Sequence, residues 1–132
     1  MRPMDVGTQV AAAVAGLVHV WFFVLESQRF MRPSVYGRFG LASDAEAAIV
    51  RPWAFNQGYY NLFLAAGVAI GLGLANTGSV ETGRAIVLFA CGSMVAAGVV
   101  LFLYNRSYAR AALIQALPPL VAIVGALISQ PQ

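Results

Sequence analysis

The sequence predicts an all-α protein, an integral membrane up-down four-helix bundle, and three observations carry that expectation. First, 60% of the 132 residues are hydrophobic, only 10% are charged, and the mean hydropathy is +0.75. A soluble domain carries about 25% charged residues, so this chain cannot cover itself with a water-facing surface. Second, residues 6–25, 52–80, 85–105 and 111–132 are four runs without a charge. Each is long enough to cross a hydrocarbon core of about 30 Å, which takes roughly 20 apolar residues as a helix. A helix also satisfies its own backbone groups in lipid. Third, the second and third connections are short, which makes neighbouring helices antiparallel.

In chain order, the spans are expected at about 6–26, 53–75, 84–105 and 109–129, within one membrane domain covering residues 1–132. A secretory signal peptide is the rival reading of the first run. That run is too long for a signal core, contains His19, and leads into Glu26 and several arginines without a small-residue cleavage site. Residues 27–51 form the one long connection. In it, Ser43-Asp44-Ala45-Glu46 has the spacing of a capping box, which predicts a short helix near 44–50. Pro52 then suits the first turn of the second span, where its missing N–H costs nothing. Asn76-Thr77-Gly78-Ser79 reads as a turn, and residues 105–110 as another tight link.

All eight basic residues are arginines. Arg29, Arg32, Arg38 and Arg51 lie in the long connection and Arg106 and Arg110 in the third, against Arg2 and Arg84 on the other side. This bias places the long connection in the cytoplasm and both termini outside. The arginines form no run and no aromatic-basic groove, so no nucleic-acid partner is expected. Cys91 stands alone in an apolar run, which leaves no disulfide framework and no cysteine metal spacing.

Polar groups inside the spans are costly and mark candidate sites. His19 and Glu26 are seven residues apart, hence on nearly the same helix face and about 10 Å apart along the axis. Asn56, Gln57 and Asn61 open the second span, with Gln57 and Asn61 at i, i+4, and Gln115 lies in the fourth. His19, Asn61 and Gln115 are each expected about 9–14 Å below the cytoplasmic boundary, at 1.5 Å per residue. Pro118 and Pro119 leave the carbonyls of Ile114 and Gln115 without helical donors, which predicts a kink. Trp21, Trp53, Tyr59, Tyr60, Tyr104 and Tyr108 favour the same side, as belt residues or as the wall of a pocket. The plainer reading of the amides is hydrogen bonding between helices, and Glu26 could be solvated or paired with Arg29. Gly67 and Gly71, with the small residues of the third span, read as close helix packing.

At these residues the chain resembles the bacterial membrane proteins grouped as domain-of-unknown-function family 1304, over nearly its whole length. The hallmark patterns stand here as His19-Val-Trp21-Phe-Phe-Val-Leu25-Glu26, Asn56-Gln57-Gly58-Tyr-Tyr60-Asn61-Leu-Phe-Leu64-Ala65 and Gln115-Ala-Leu-Pro118. Departures are Trp21 for the usual Tyr, Ser27 for Met, Leu62 and Ala116 for Gly, and the second proline, Pro119. The resemblance implies a four-helix fold and marks His19, Glu26, Asn56, Gln57, Asn61 and Gln115 as motif residues. It implies no activity.

Three functions remain open. The first is an enzyme acting by acid–base chemistry on a lipophilic small molecule, an isomerase or an epoxide-opening cyclase. Its catalytic residues are expected to be His19 and Glu26, with Trp21, Asn56, Gln57, Tyr60, Asn61 and Gln115 binding the substrate. Such chemistry needs two titratable groups in different environments and donors for developing negative charge. It needs no cofactor, and one histidine with no second inward carboxylate is a poor transition-metal set. The second is a binding or transport protein for a solute, proton or cation, which in so small a cage calls for a homo-oligomer. The third is a structural subunit whose polar layer sets helix register. In each case the lipid bilayer is the constant partner.

Overall fold

The computed structural model describes residues 3–129, and among these every regular element is helical. Helix α1 covers Val6–Phe23 and continues into a π-helical turn over Val24–Gln28. A short helix α2 covers Pro33–Tyr36, followed by α3 over Asp44–Asn76, α4 over Val80–Tyr104 and α5 over Ala109–Ile128. The stretches Val6–Gln28, Asp44–Asn76, Val80–Tyr104 and Arg106–Ile128 are each long and apolar enough to cross a membrane. The exposed side chains agree with that environment: Phe89 is 78% exposed and Leu103 71%. Large apolar groups left open in this number are tolerable against lipid and not against water. The chain is a multi-pass membrane protein with an all-α four-helix fold.

Contacts divide the chain into two compact units, Met1–Val18 with Leu64–Gln132, and His19–Phe63. In the first, parts of all four long helices pack about small and flexible apolar residues, among them Ala12, Ala15, Val68, Val87, Cys91 and Met94. Small residues set the spacing. A Cβ at Gly83 would run into the backbone of Gly71 and Ala75, and a Cβ at Gly98 would meet the Ala112 carbonyl at 3.1 Å. These are the close backbone approaches that hold membrane helices together, where the hydrophobic effect gives no preference for protein over lipid.

One end of this unit is tied by polar groups. Asp5 accepts hydrogen bonds from the Thr8 hydroxyl (2.6 Å), the Ser129 hydroxyl (2.7 Å) and the Thr8 N–H (3.0 Å). Asp5 thus caps α1 and joins it to the end of α5, and these bonds, the Thr8 hydroxyl first, hold its carboxyl well below the usual carboxylate range. Asn76 donates to Gln9 Oε1 at 2.8 Å. Arg84, buried within α4, donates to the Ala126 carbonyl in the last turn of α5, where a cation meets the negative end of the helix dipole. It is therefore a packing residue of a span, although sequence counting assigns it to the outer side, and Arg2 lies outside the described residues.

The second unit holds the end of α1, the π turn, α2 and the first half of α3. The stretch expected as a long loop has its own core: Phe30, Tyr36, Ala47 and Ala54, with Met31, Leu41 and Val50 against them. Pro33 starts α2, and Gly40, at φ 78°, supplies the left-handed turn that brings the chain back. The Tyr36 hydroxyl donates to Asp44 at 2.7 Å, a bond that raises its pKa. Ser43 Oγ accepts from the Glu46 N–H at 3.2 Å, and Glu46 Oε2 accepts from the Ala42 N–H at 2.8 Å, so the capping spacing does start a helix. That helix does not stop near 50. It runs through Pro52 to Asn76 as one 33-residue element, because the proline removes one donor while the Ala47 and Ala54 packing holds both sides of it. α5 likewise passes Pro118 and Pro119 without a break.

Candidate functional site

Helix α3 buries Ala47, Ala54, Asn61, Val68 and Ala75, a repeat of seven that keeps one seam facing its neighbours. Four residues on from Ala54 and Asn61 come Gly58 and Ala65, also buried. Asn61 is thus a polar residue at a seam position, and is 4% exposed. On α1 the buried positions Thr8, Ala12, Ala15 and His19 step by four, three and four, and His19 is fully buried, its ring edge-on to Phe22 with centroids 5.3 Å apart.

The two helices meet at the π turn. The Arg29 N–H bonds back to the Val24 carbonyl at 2.9 Å, five residues away, and Glu26 lies at the centre of this widened turn. Such turns re-aim side chains and recur at functional sites. Asn61 Nδ2 donates to Glu26 Oε2 at 2.8 Å. Beside it, Ser27 Oγ donates to the Phe55 carbonyl at 2.8 Å. Gly58 makes the approach possible: a Cβ there would fall on Ser27 Oγ and lie 3.0 Å from the Ser27 backbone nitrogen. The Phe55 carbonyl, Gly58 and the Asn61 amide of α3 together receive residues 26 and 27.

The result is a half-buried carboxyl oriented by a buried amide, with a buried imidazole about 10 Å away along the helix axis. One carboxyl oxygen is engaged by Asn61, and the arrangement suits a group that takes up or gives a proton from a fixed position.

The other expected site residues are placed differently. Trp21 is 47% exposed and Tyr60 57%, and Asn56 and Gln57 are exposed as well. All four are exposed positions of α1 and α3, and none is among the hydrogen-bond partners of Glu26 or Asn61. Phe55, Tyr59 and Phe63, with Phe23 against Tyr59 at 5.1 Å, form an aromatic row along α3. Gln115 belongs to the first unit, half-buried on α5. Sequence reasoning assigned no role to Ser27 or Gly58. The signal available for Gly58 was its place four residues after Ala54, beside the seven-residue repeat, where a glycine among small residues marks the closest approach. Among the described residues, no three His, Cys, Asp or Glu side chains gather as a metal-binding group.

No curated protein and no solved structure matches the chain. A sequence model of one family, described as a protein of unknown function, matches residues 13–127. That interval contains α1 from its second turn, the π turn with Glu26, the Asn61 seam and nearly all of α5; the chain belongs to the DUF1304 family.

Proposed function

We propose that this protein is an intramembrane acid–base enzyme, an isomerase or cyclase acting on a lipophilic small molecule, with Glu26 as the principal proton-transfer group. The observation that carries this reading is the 2.8 Å bond from buried Asn61 to Glu26 inside a π turn. A half-buried carboxyl held by a single amide at a widened turn is an expensive feature for a helix that has only to span lipid.

In an isomerisation, the Glu26 carboxylate removes a proton from one substrate atom and the resulting acid returns it to another. In an epoxide-opening cyclisation, a substrate hydroxyl loses its proton to Glu26 as its oxygen bonds to carbon. The epoxide C–O bond breaks, and its oxygen takes a proton from the His19 imidazolium. A chain of water molecules admitted as the product leaves carries the proton from Glu26 to His19 over the roughly 10 Å between them and restores both groups. Neither reaction consumes a cofactor or a second reactant. The apolar surroundings favour a substrate that arrives through the bilayer, and the arginine bias favours a site on the cytoplasmic side of a bacterial plasma membrane.

The test starts with the full chain purified in mild detergent and mass spectrometry of the small molecules retained on it. The native protein is expected to carry a lipophilic compound and to convert it on incubation. Glu26→Gln and His19→Asn should retain it and lose turnover by about 10²–10⁴-fold, the usual contribution of a general acid or base. Retention without conversion by the native protein would replace the enzyme with a binding or transport protein. Full turnover in both variants would remove the pair as the site.

A further inference from the structure

The structured segment between α1 and the apolar part of α3 carries a second feature, unrelated to Glu26. Helix α3, at 33 residues, is about 50 Å long, against a hydrocarbon core of about 30 Å. Its first turns therefore extend into the headgroup region or beyond. They hold Phe30, Tyr36 and Leu41 against Ala47 and Val50, so the polar residues of this segment are presented by a folded headpiece.

Its charges are unbalanced. Arg29, Arg32, Arg38 and Arg51 are all exposed, and among the described residues none of the four is in an ion pair. The two acids of the segment are committed elsewhere: Asp44 accepts the Tyr36 hydroxyl, and Glu46 accepts the Ala42 N–H at the start of α3. Both also sit in the first turn of α3, where the helix dipole offsets negative charge. On the outer face of the same helix Ile49 is 69% and Trp53 70% exposed, one turn apart. Arginine beside an exposed tryptophan is the composition that meets phosphate and glycerol at a membrane surface.

We propose that this headpiece, residues 29–53, is a docking surface for anionic phospholipid headgroups, its arginines taking the phosphates while Ile49 and Trp53 enter the interface. Charge alone sets topology during insertion. A folded headpiece with its own acids tied down goes further, because it keeps the guanidinium groups unneutralised after insertion. Guanidinium also suits phosphate by its forked donor geometry.

The experiment uses the purified full chain in mixed micelles with equimolar phosphatidylglycerol and phosphatidylcholine, and native mass spectrometry to count the lipids retained. The native protein is expected to retain phosphatidylglycerol preferentially, and less so at high salt. Each arginine changed to glutamine in the headpiece should lower the preference about fivefold, the ratio for about 1 kcal/mol per basic residue at a membrane surface. Arg32→Gln with Arg38→Gln is the first variant, checked for helicity and melting temperature. Arg106→Gln with Arg110→Gln removes the same charge from another connection and should leave the preference unchanged. Equal retention of the two lipids by the native protein would overturn the proposal. So would an equal loss in the Arg106/Arg110 variant, which would reduce the effect to net charge, or displacement of the lipid by inorganic phosphate.

Discussion

Asn61 is the residue on which two readings of the polar cluster divide. As a seam residue in a seven-residue repeat it can set register, as single buried amides do in coiled coils; as the partner of Glu26 it orients a carboxyl. Both require the 2.8 Å bond. Asn61→Ala should therefore destabilise the protein by about 1–3 kcal/mol, since a half-buried carboxyl loses its donor. Asn56→Ala and Gln57→Ala, at exposed positions, should stay within about 0.5 kcal/mol. Unfolding in graded detergent or denaturant compares the three, and an equal effect at all of them would remove Asn61 from any special role. Asp5 makes a second residue-scale prediction. Its folded pKa is depressed by the Thr8 and Ser129 bonds, so its contribution is fully present above the unfolded value of about 3.9. That contribution fades as the pH falls through the folded value. The gap in melting temperature between the native protein and Asp5→Ala should be flat near neutral pH and close only below about pH 4; a gap that closes nearer neutrality contradicts the assignment.

At the scale of elements, the helices are spaced by glycines that differ in what surrounds them. A methyl at Gly83 would strike the backbone of Gly71 and Ala75, whereas a methyl at Gly92 meets nothing within 4 Å. Gly83→Ala should cost about 1–3 kcal/mol or more, because backbone cannot move aside as a side chain can. Gly92→Ala should be neutral or stabilising by up to about 1 kcal/mol through lower chain entropy. Melting of the two variants in the same detergent decides it; similar behaviour would mean that α3 and α4 are not spaced by Gly83. The capping box and the uncharged runs were legible in the sequence because they depend on neighbours within a few residues. The π turn was not. Its extra residue is accommodated because Ser27 reaches Phe55 and Glu26 reaches Asn61, contacts between positions about thirty apart that no local pattern announces.

For the whole molecule, orientation is the open quantity that one measurement can settle. Arginine counting places the 27–51 segment in the cytoplasm and the turn at 76–79 outside. Arg84 contributes less to that count than it first appeared to, since it is buried inside α4. Single cysteines at Ser34 and Ser79, both exposed, test this beside the buried Cys91. An impermeant maleimide on intact cells should label Ser79→Cys and leave Ser34→Cys unlabelled until the membrane is opened; the reverse pattern inverts the topology.

The sequence by itself determined that this chain spans a membrane with four helices, because the cost of putting charge or unpaired backbone in lipid acts on every residue independently. It also singled out His19, Glu26 and Asn61, since a polar group in an apolar run is visible without a structure. Only the tertiary structure decided that Glu26 and Asn61 touch while Asn56 and Gln57 face outward. Within one helix those amides are separated by small differences in angle, and the burial of a given face depends on which glycine lets the next helix approach. The headpiece was hidden for the same reason. Phe30, Tyr36, Leu41 and Ala47 have no common period, and become a core only when Gly40 turns the chain back on α3.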